Sequence, residues 1–321
     1  MTRVRRRSPL LSFAIWVALT TALLVALRTL PWQSAVQEMA RVRSGWIGAA
    51  ILANAAILVV WATEWRLLAP AAARVLWASM FEVVSTMAAV LNSIPFFAGE
   101  ATGVALLVDR VALARGAAVS MLALDQLLSG LSKLAVLGLA AAFVPLPSWL
   151  RAGVLTLIAA VSVLLVVLFV IAHRWDRARA LLLARPSAPR RALARVVSAG
   201  AHLEALRETR RARWLVLLAV SKKGMELAAV LAVQAAFGLS PSLSSGLLVV
   251  ASVSVATLAP IAPANVGVYE AAVFAAYRYT GVAPDAALAL AVTQHLCFLL
   301  PMLATGYVTA SLRQLAMTRR S

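Results

Sequence analysis

Glu100 and Glu270 stand in matching surroundings inside long apolar stretches. Placing an ionisable side chain at the centre of such a segment costs about 2.5–3.5 kcal/mol on insertion scales, so each is a candidate for function. Glu100 ends the string Pro95-Phe96-Phe97-Ala98-Gly99-Glu100, and Glu270 ends Pro263-Ala264-Asn265-Val266-Gly267-Val268-Tyr269-Glu270. Each string has a proline, a glycine four residues later and a glutamate within three residues of that glycine. An arginine, Arg110 or Arg278, follows eleven residues after the glycine, and a second glycine, Gly116 or Gly281, leads into another apolar run. Carboxylates so placed can shape a polar path or carry protons. They also complement the positive end of a helix that restarts after a break. Arg110 and Arg278 offer bidentate phosphate geometry, or snorkel towards an interface.

Asp125, Ser129 and Lys133 recur every four residues and share one helix face. That stripe serves either a polar path or an intrahelical ladder. Lys222 and Glu226 have the same spacing, which predicts that they neutralise each other in a structural role. His295, beside Thr293 and Gln294, suits a hydrogen-bonded packing position or a proton relay. No cluster has metal-ligand spacing, no nucleophile stands with a base, and no loop cradles a phosphate. The sequence therefore calls for no cofactor, no metal and no enzymatic activity.

The elements that must hold these residues follow from composition. The chain has 321 residues, 63% hydrophobic and 13% charged, with mean hydropathy +0.90. Soluble domains are about half apolar and about a quarter charged, so a water-soluble fold and a large extramembrane catalytic domain are excluded. One cysteine, Cys297, excludes disulfide frameworks and Cys-based metal sites. The net charge of +18 comes from 27 arginines and three lysines against 12 acids. In a membrane protein such an excess reports orientation before it reports a polyanion, and nucleic-acid binding is set aside.

At about 20 residues per span, full crossings are expected at Pro9–Leu27, uncleaved and entered from a cytoplasmic N-terminus, and at Gly45–Thr63, Ala117–Phe143, Trp149–Ile171, Trp214–Phe237 and Pro284–Leu312. Glu64-Trp65-Arg66 is expected at the cytoplasmic end of the second. Residues 76–110 and 243–279 are each broken by Pro and Gly, which a helix does not cross intact. Six full transmembrane helices and two oppositely oriented re-entrant hairpins then place most basic residues on one side. Arg28, Arg41, Arg43 and Arg151 are the exceptions. The fold class is an all-α polytopic membrane protein, a single integral domain over 1–321. Its two halves, 76–143 and 243–312, are each a hairpin with its following span. Broken segments in corresponding positions of an inverted repeat point to a midplane site of the kind found in alternating-access transporters. Residues 173–213 carry eleven arginines with aliphatic residues at intervals. This cytoplasmic loop either lies as an amphipathic helix on anionic lipid headgroups or is disordered.

The strings LNSIPFFAGE and LAPIAPANVGVYEAA, the latter followed by Gly281-Val282, resemble the flippase-like transmembrane domain of lysylphosphatidylglycerol synthases over residues 10 to 312. The family's Asn, Pro and Gly-Glu fall on Asn92, Pro95, Gly99 and Glu100, one residue closer between Asn and Pro. Its Pro-x-x-Pro-Gly-Gly-x-Gly-x-x-Glu falls on Pro260, Pro263, Gly267 and Glu270, with Ala264 and Asn265 replacing two glycines. Its Glu-Arg-x-x-Asp is here Asp125-Gln126-Leu127-Leu128-Ser129, and His295 stands where the family has an arginine. The resemblance implies translocation of an anionic or amphipathic lipid between leaflets: a phospholipid, a polyprenyl-linked lipid or a hopanoid type. It does not imply aminoacyl transfer, because the cytosolic synthase domain is missing. The expected site is Glu100, Glu270, Asn92, Pro95, Gly99, Pro263, Gly267, Arg110, Arg278, Asp125, Lys133 and His295. The expected location is the inner (cytoplasmic) membrane with both termini cytoplasmic, and the expected partners are membrane lipids, with a homo-oligomer or a partner synthase left open. An ion-coupled transporter of a small solute, or a non-transporting partner of a biosynthetic enzyme, are the alternatives.

Overall fold

A computed structural model describes residues 31–94, 97–173, 208–258 and 262–318. The span expected at 9–27, Pro95 and most of the arginine-rich loop lie outside the described residues. Ten α-helices and short 3-10 turns are present, with no strand among the described residues. They are α1 (Trp32–Ala40), α2 (Ser44–Leu68), α3 (Trp77–Leu91), α4 (Ala98–Asp109), α5 (Arg115–Phe143), α6 (Ser148–His173), α7 (Thr209–Ala236), α8 (Leu243–Ala256), α9 (Val268–Tyr279) and α10 (Pro284–Thr318). Four helices are long and apolar enough to cross a membrane: Ser44–Leu68, Arg115–Phe143, Ser148–Val166 and Pro284–Leu315. The chain is a polytopic membrane protein built from helices.

Punctuation by Pro, Gly and capping residues sets these boundaries. Ala69-Pro70 ends α2, and Val144-Pro145-Leu146-Pro147 separates α5 from α6. Gly238, at φ +72°, lets the chain turn out of α7. Ser242 caps α8 by accepting the Ser245 N–H at 3.4 Å. α10 starts on Pro284, where a missing N–H costs nothing.

The two broken segments have matching parts. α3 and α4 have 15 and 12 residues, and α8 and α9 have 14 and 12. At 1.5 Å per residue all four fall well short of a hydrocarbon core of about 30 Å. A long helix follows each pair, α5 with 29 residues and α10 with 35. The members of each pair pack on one another. Gly99 makes the first pairing possible, because a Cβ there would lie 2.5 Å from the Leu91 Cβ and 2.7 Å from its Cα.

Two expectations are corrected. α2 does not surface at Glu64: it continues to Leu68, and Glu64 and Trp65 are both fully buried. α7 begins at Thr209, so the last residues of the expected loop, up to Arg213, are helical. α1 was not expected. It seats Ala35 against Leu288 and Ala289 of α10.

α7 lies along α2 in the most extensive helix pairing of the fold. Contacts gather the helix ends into two sets. In one, the Arg43 N–H donates to the Ala236 carbonyl at 3.0 Å and the Tyr279 hydroxyl to the Pro145 carbonyl at 2.9 Å. In the other, Arg211 Nε donates to the Leu67 carbonyl at 2.6 Å and Arg313 pairs with Glu82. Two apolar cores form between these ends. One contains Leu248, Val273 and Tyr277, the other Trp65, Met87 and Met121.

Close approach of α3 to α10 depends on Gly306, where an added Cβ would strike the Ser85 carbonyl and the Ala89 Cβ. Gly306→Val is expected to destabilise the protein by about 1–3 kcal/mol, read as a lower thermal midpoint in detergent. An unchanged midpoint would mean that the helices do not pack this closely.

Candidate functional site

Where the two cores meet lies a cavity of about 330 Å³. Long helices contribute the middle of their length: Asn54 and Trp61 from α2, Asp125, Ser129 and Lys133 from α5, Lys222, Lys223 and Glu226 from α7, Gln294 and Phe298 from α10. Both breaks reach it, the first through Asn92, Phe97 and Glu100, the second through Ala264, Asn265 and Tyr269. Four-residue spacing on α5 therefore delivers its whole polar stripe to one wall.

The charges fall into three groups. Deepest is a buried triad in which the Lys222 ammonium contacts the Glu64 carboxylate and lies 3.6 Å from Asp125 Oδ1. Trp61 Nε1–H donates to Asp125 Oδ1 at 2.9 Å, and the ammonium sits 5.5 Å from the Trp61 ring centre. Glu64, Asp125 and Lys222 are 0%, 2% and 7% exposed. The pairing expected from i,i+4 spacing is thus corrected. Lys223, not Lys222, holds Glu226, through contacts of 2.7 and 2.6 Å to its two oxygens. Spacing favoured Lys222, but the carboxylates of α2 and α5 outcompete a neighbour on its own helix.

The second group is the pair Glu270–His295. His295 Nδ1 lies 2.7 Å from Glu270 Oε1, and Nε2 lies 3.0 Å from the Ala264 carbonyl oxygen. Glu270 Oε2 accepts the Gly267 N–H at 2.7 Å, so this glutamate also caps α9. The Tyr269 ring stacks on His295 with centres 4.2 Å apart and planes 9° from parallel. Gly267 has φ +85°, and Ala264 and Asn265 have φ +53° and +54°. The last two are left-handed without being glycine, at a cost of roughly 1–2 kcal/mol per residue.

In the third group are the uncommitted charges. Glu100 has no hydrogen-bond partner for its buried Oε2, and it makes no helix cap. Lys133 faces the cavity and feels the charges of Lys223, Glu226 and Asp125. Among the described residues neither Glu100 nor Lys133 has an ion-pair partner. A cavity presenting, among the described residues, one cation and one anion without an ion-pair partner can receive a charged group.

Other expected site residues lie around it. Asn92 is 5% exposed, and its Nδ2 donates to the Ala88 carbonyl at 2.8 Å. Gly99 closes the first pair. Pro263 begins the 3-10 turn Pro263–Asn265 of the second break. Arg110 and Arg278 are exposed and line no part of the cavity. Arg278 donates to the Val282 carbonyl at 2.6 Å, bracing the turn after α9. Sequence reasoning missed Glu64, Trp61, Asn54 and Tyr269. For Glu64 a signal existed, since apolar Leu67-Leu68 continues past it; for the others there was none.

Removing one member of a buried ion network strands the rest, typically at about 3–5 kcal/mol. Lys222→Met is expected to lower the thermal midpoint strongly, and adding Glu64→Gln to recover part of the loss. A single variant as stable as the parent would contradict the triad.

A family model for the lysylphosphatidylglycerol synthase TM region matches residues 10–306. No curated protein and no solved structure matches the chain. With nearly its whole length matched, the chain belongs to the lysylphosphatidylglycerol synthase TM region family.

Proposed function

We propose that the chain moves a lipid between membrane leaflets, its charged headgroup entering the central cavity while the acyl chains stay in hydrocarbon. The observation that carries this reading is the pair of uncommitted charges, Lys133 and Glu100, facing a cavity halfway along the long helices. A volume of about 330 Å³ suits a headgroup and leaves diacyl chains outside. Lys133 would attract phosphate, and Glu100 would balance an amine or set the entry potential. The cargo is an anionic or amphipathic lipid, and the work is transport, not catalysis.

The same reading takes the two short helix pairs as re-entrant hairpins of an inverted repeat. Matched lengths support it, as do the two sets of end contacts. The α8–α9 end at Tyr279 meets the α5–α6 turn, whereas the α3–α4 pair begins where α10 ends, at Glu82 and Arg313. On this view α7 is a crossing despite its charges, because Lys222, Lys223 and Glu226 face the cavity and not lipid. Residues 66–74, 110–115 and 208–213 then share a basic face, which the positive-inside rule assigns to the cytoplasm of an inner membrane. Lipids are the proposed partners.

Proteoliposomes holding a fluorescent acyl-labelled phosphatidylglycerol, quenched from outside by dithionite, test the proposal. The wild type should expose inner-leaflet probe. Glu100→Gln and Lys133→Ala should each slow this about tenfold or more, as expected for losing a charge-assisted contact. Wild-type rates in both variants would overturn the assigned roles.

A further inference from the structure

His295 is bracketed by two acceptors, a carboxylate on Nδ1 and a backbone carbonyl on Nε2. A neutral imidazole has one N–H and one lone pair, so it can satisfy only one of them. Making both bonds requires one further proton in the pair. A ring protonated on both nitrogens donates to both, and Glu270 then stays a carboxylate that also accepts the Gly267 N–H on Oε2 at 2.7 Å. The ring lies flat on Tyr269 at 4.2 Å, a face that favours a cation. We infer that Glu270–His295 is a proton-binding site: His295 carries the proton, and its loss unlatches the second helix break from α10.

Release follows from the contact geometry. The Nδ1 proton leaves through the Glu270 carboxylate, whose side chain is 22% exposed, while His295 is enclosed at 2%. A lone pair on Nδ1 would then face a carboxylate oxygen 2.7 Å away, which repels it. One of the two bonds must break. The segment that the latch holds is strained, with Ala264 and Asn265 left-handed. It is a wall of the central cavity, through Ala264, Asn265 and Tyr269. The latched form therefore binds one more proton than the released form, and rising pH favours release.

Apart from Lys133, Glu100 and Asp285, other charges on the packed elements are already committed. On α7, Lys223 holds Glu226, and Lys222 is shared between Glu64 of α2 and Asp125 of α5. Glu82 of α3 is paired with Arg313 of α10 itself. Glu38 of α1 sits 4.0 Å from Arg41, and Arg278 of α9 bonds the Val282 carbonyl. Lys133 and Glu100 line the cavity with Tyr269, Tyr277 and Cys297 are buried in the same core as Tyr269, and Asp285 lies in the first turn of α10. Among the described residues, only His295 is a base held between two acceptors.

What the latch controls rests on the translocase reading; the proton site itself does not. The test therefore reads the break and not transport. Amide hydrogen exchange of residues 262–271 is followed in the full chain in nanodiscs, from about two units below to two above the ordinary histidine value of about 6.5, corrected for intrinsic rates. Wild type should exchange slowly at low pH and then up to about tenfold faster per unit, the limit for one proton. Glu270→Gln supplies its own N–H to a neutral ring and should stay protected at every pH, whereas His295→Ala should exchange fast throughout. Ring nitrogen-15 spectra of wild type, which need no variant to fold, should show one histidine protonated on both nitrogens at low pH and losing one as exchange rises. A flat wild-type profile, a Glu270→Gln profile that still titrates, or a ring neutral throughout would overturn the site.

Discussion

Hydrocarbon offers neither hydrogen bonds nor counter-ions, so every charge and every broken turn within a membrane helix must be met by protein. Most of this fold answers that constraint. Glu64, Asp125 and Lys222 come from three helices, and the two buried acids share the one ammonium. Lys223 turns to Glu226. The second break is held by a histidine, a glutamate and a backbone amide. Once these demands are met, Lys133 and Glu100 remain among the described residues that line the cavity, both facing the space between the two apolar cores.

Much of this was legible in the sequence. Proline and glycine marked both breaks, because their effect on a helix is local and independent of what packs outside. The stripe Asp125, Ser129, Lys133 reached one wall because helix periodicity alone decides a face. Corresponding positions of Glu100 and Glu270 were also readable from spacing. Partner choice was not. Lys222 finds Glu64 across 158 residues of chain, and nothing in local spacing competes with that long-range packing. The Glu270–His295 contact crosses from one helix to the next, so His295 read as a lone packing residue. α1 is short and only partly apolar, too weak a pattern to separate from a connecting loop.

The two broken segments have helices of matching length but not the same chemistry. Glu270 is engaged two ways: Oε2 caps α9, and Oε1 bonds His295 and so ties the break to α10. Glu100 occupies the matching position with no bond to its buried oxygen. Matching sequence strings thus lead to one fixed and one available carboxylate. An asymmetric pair suits a carrier in which one break is held while the other meets cargo.

Native mass spectrometry of the protein released from its own membrane tests the central claim most directly, because it asks what the cavity holds. A lipid with a charged headgroup should be bound to wild type and lost when Lys133 is replaced by alanine in an otherwise folded protein. Equal lipid retention by both forms, or displacement of nothing but a soluble solute, would contradict it.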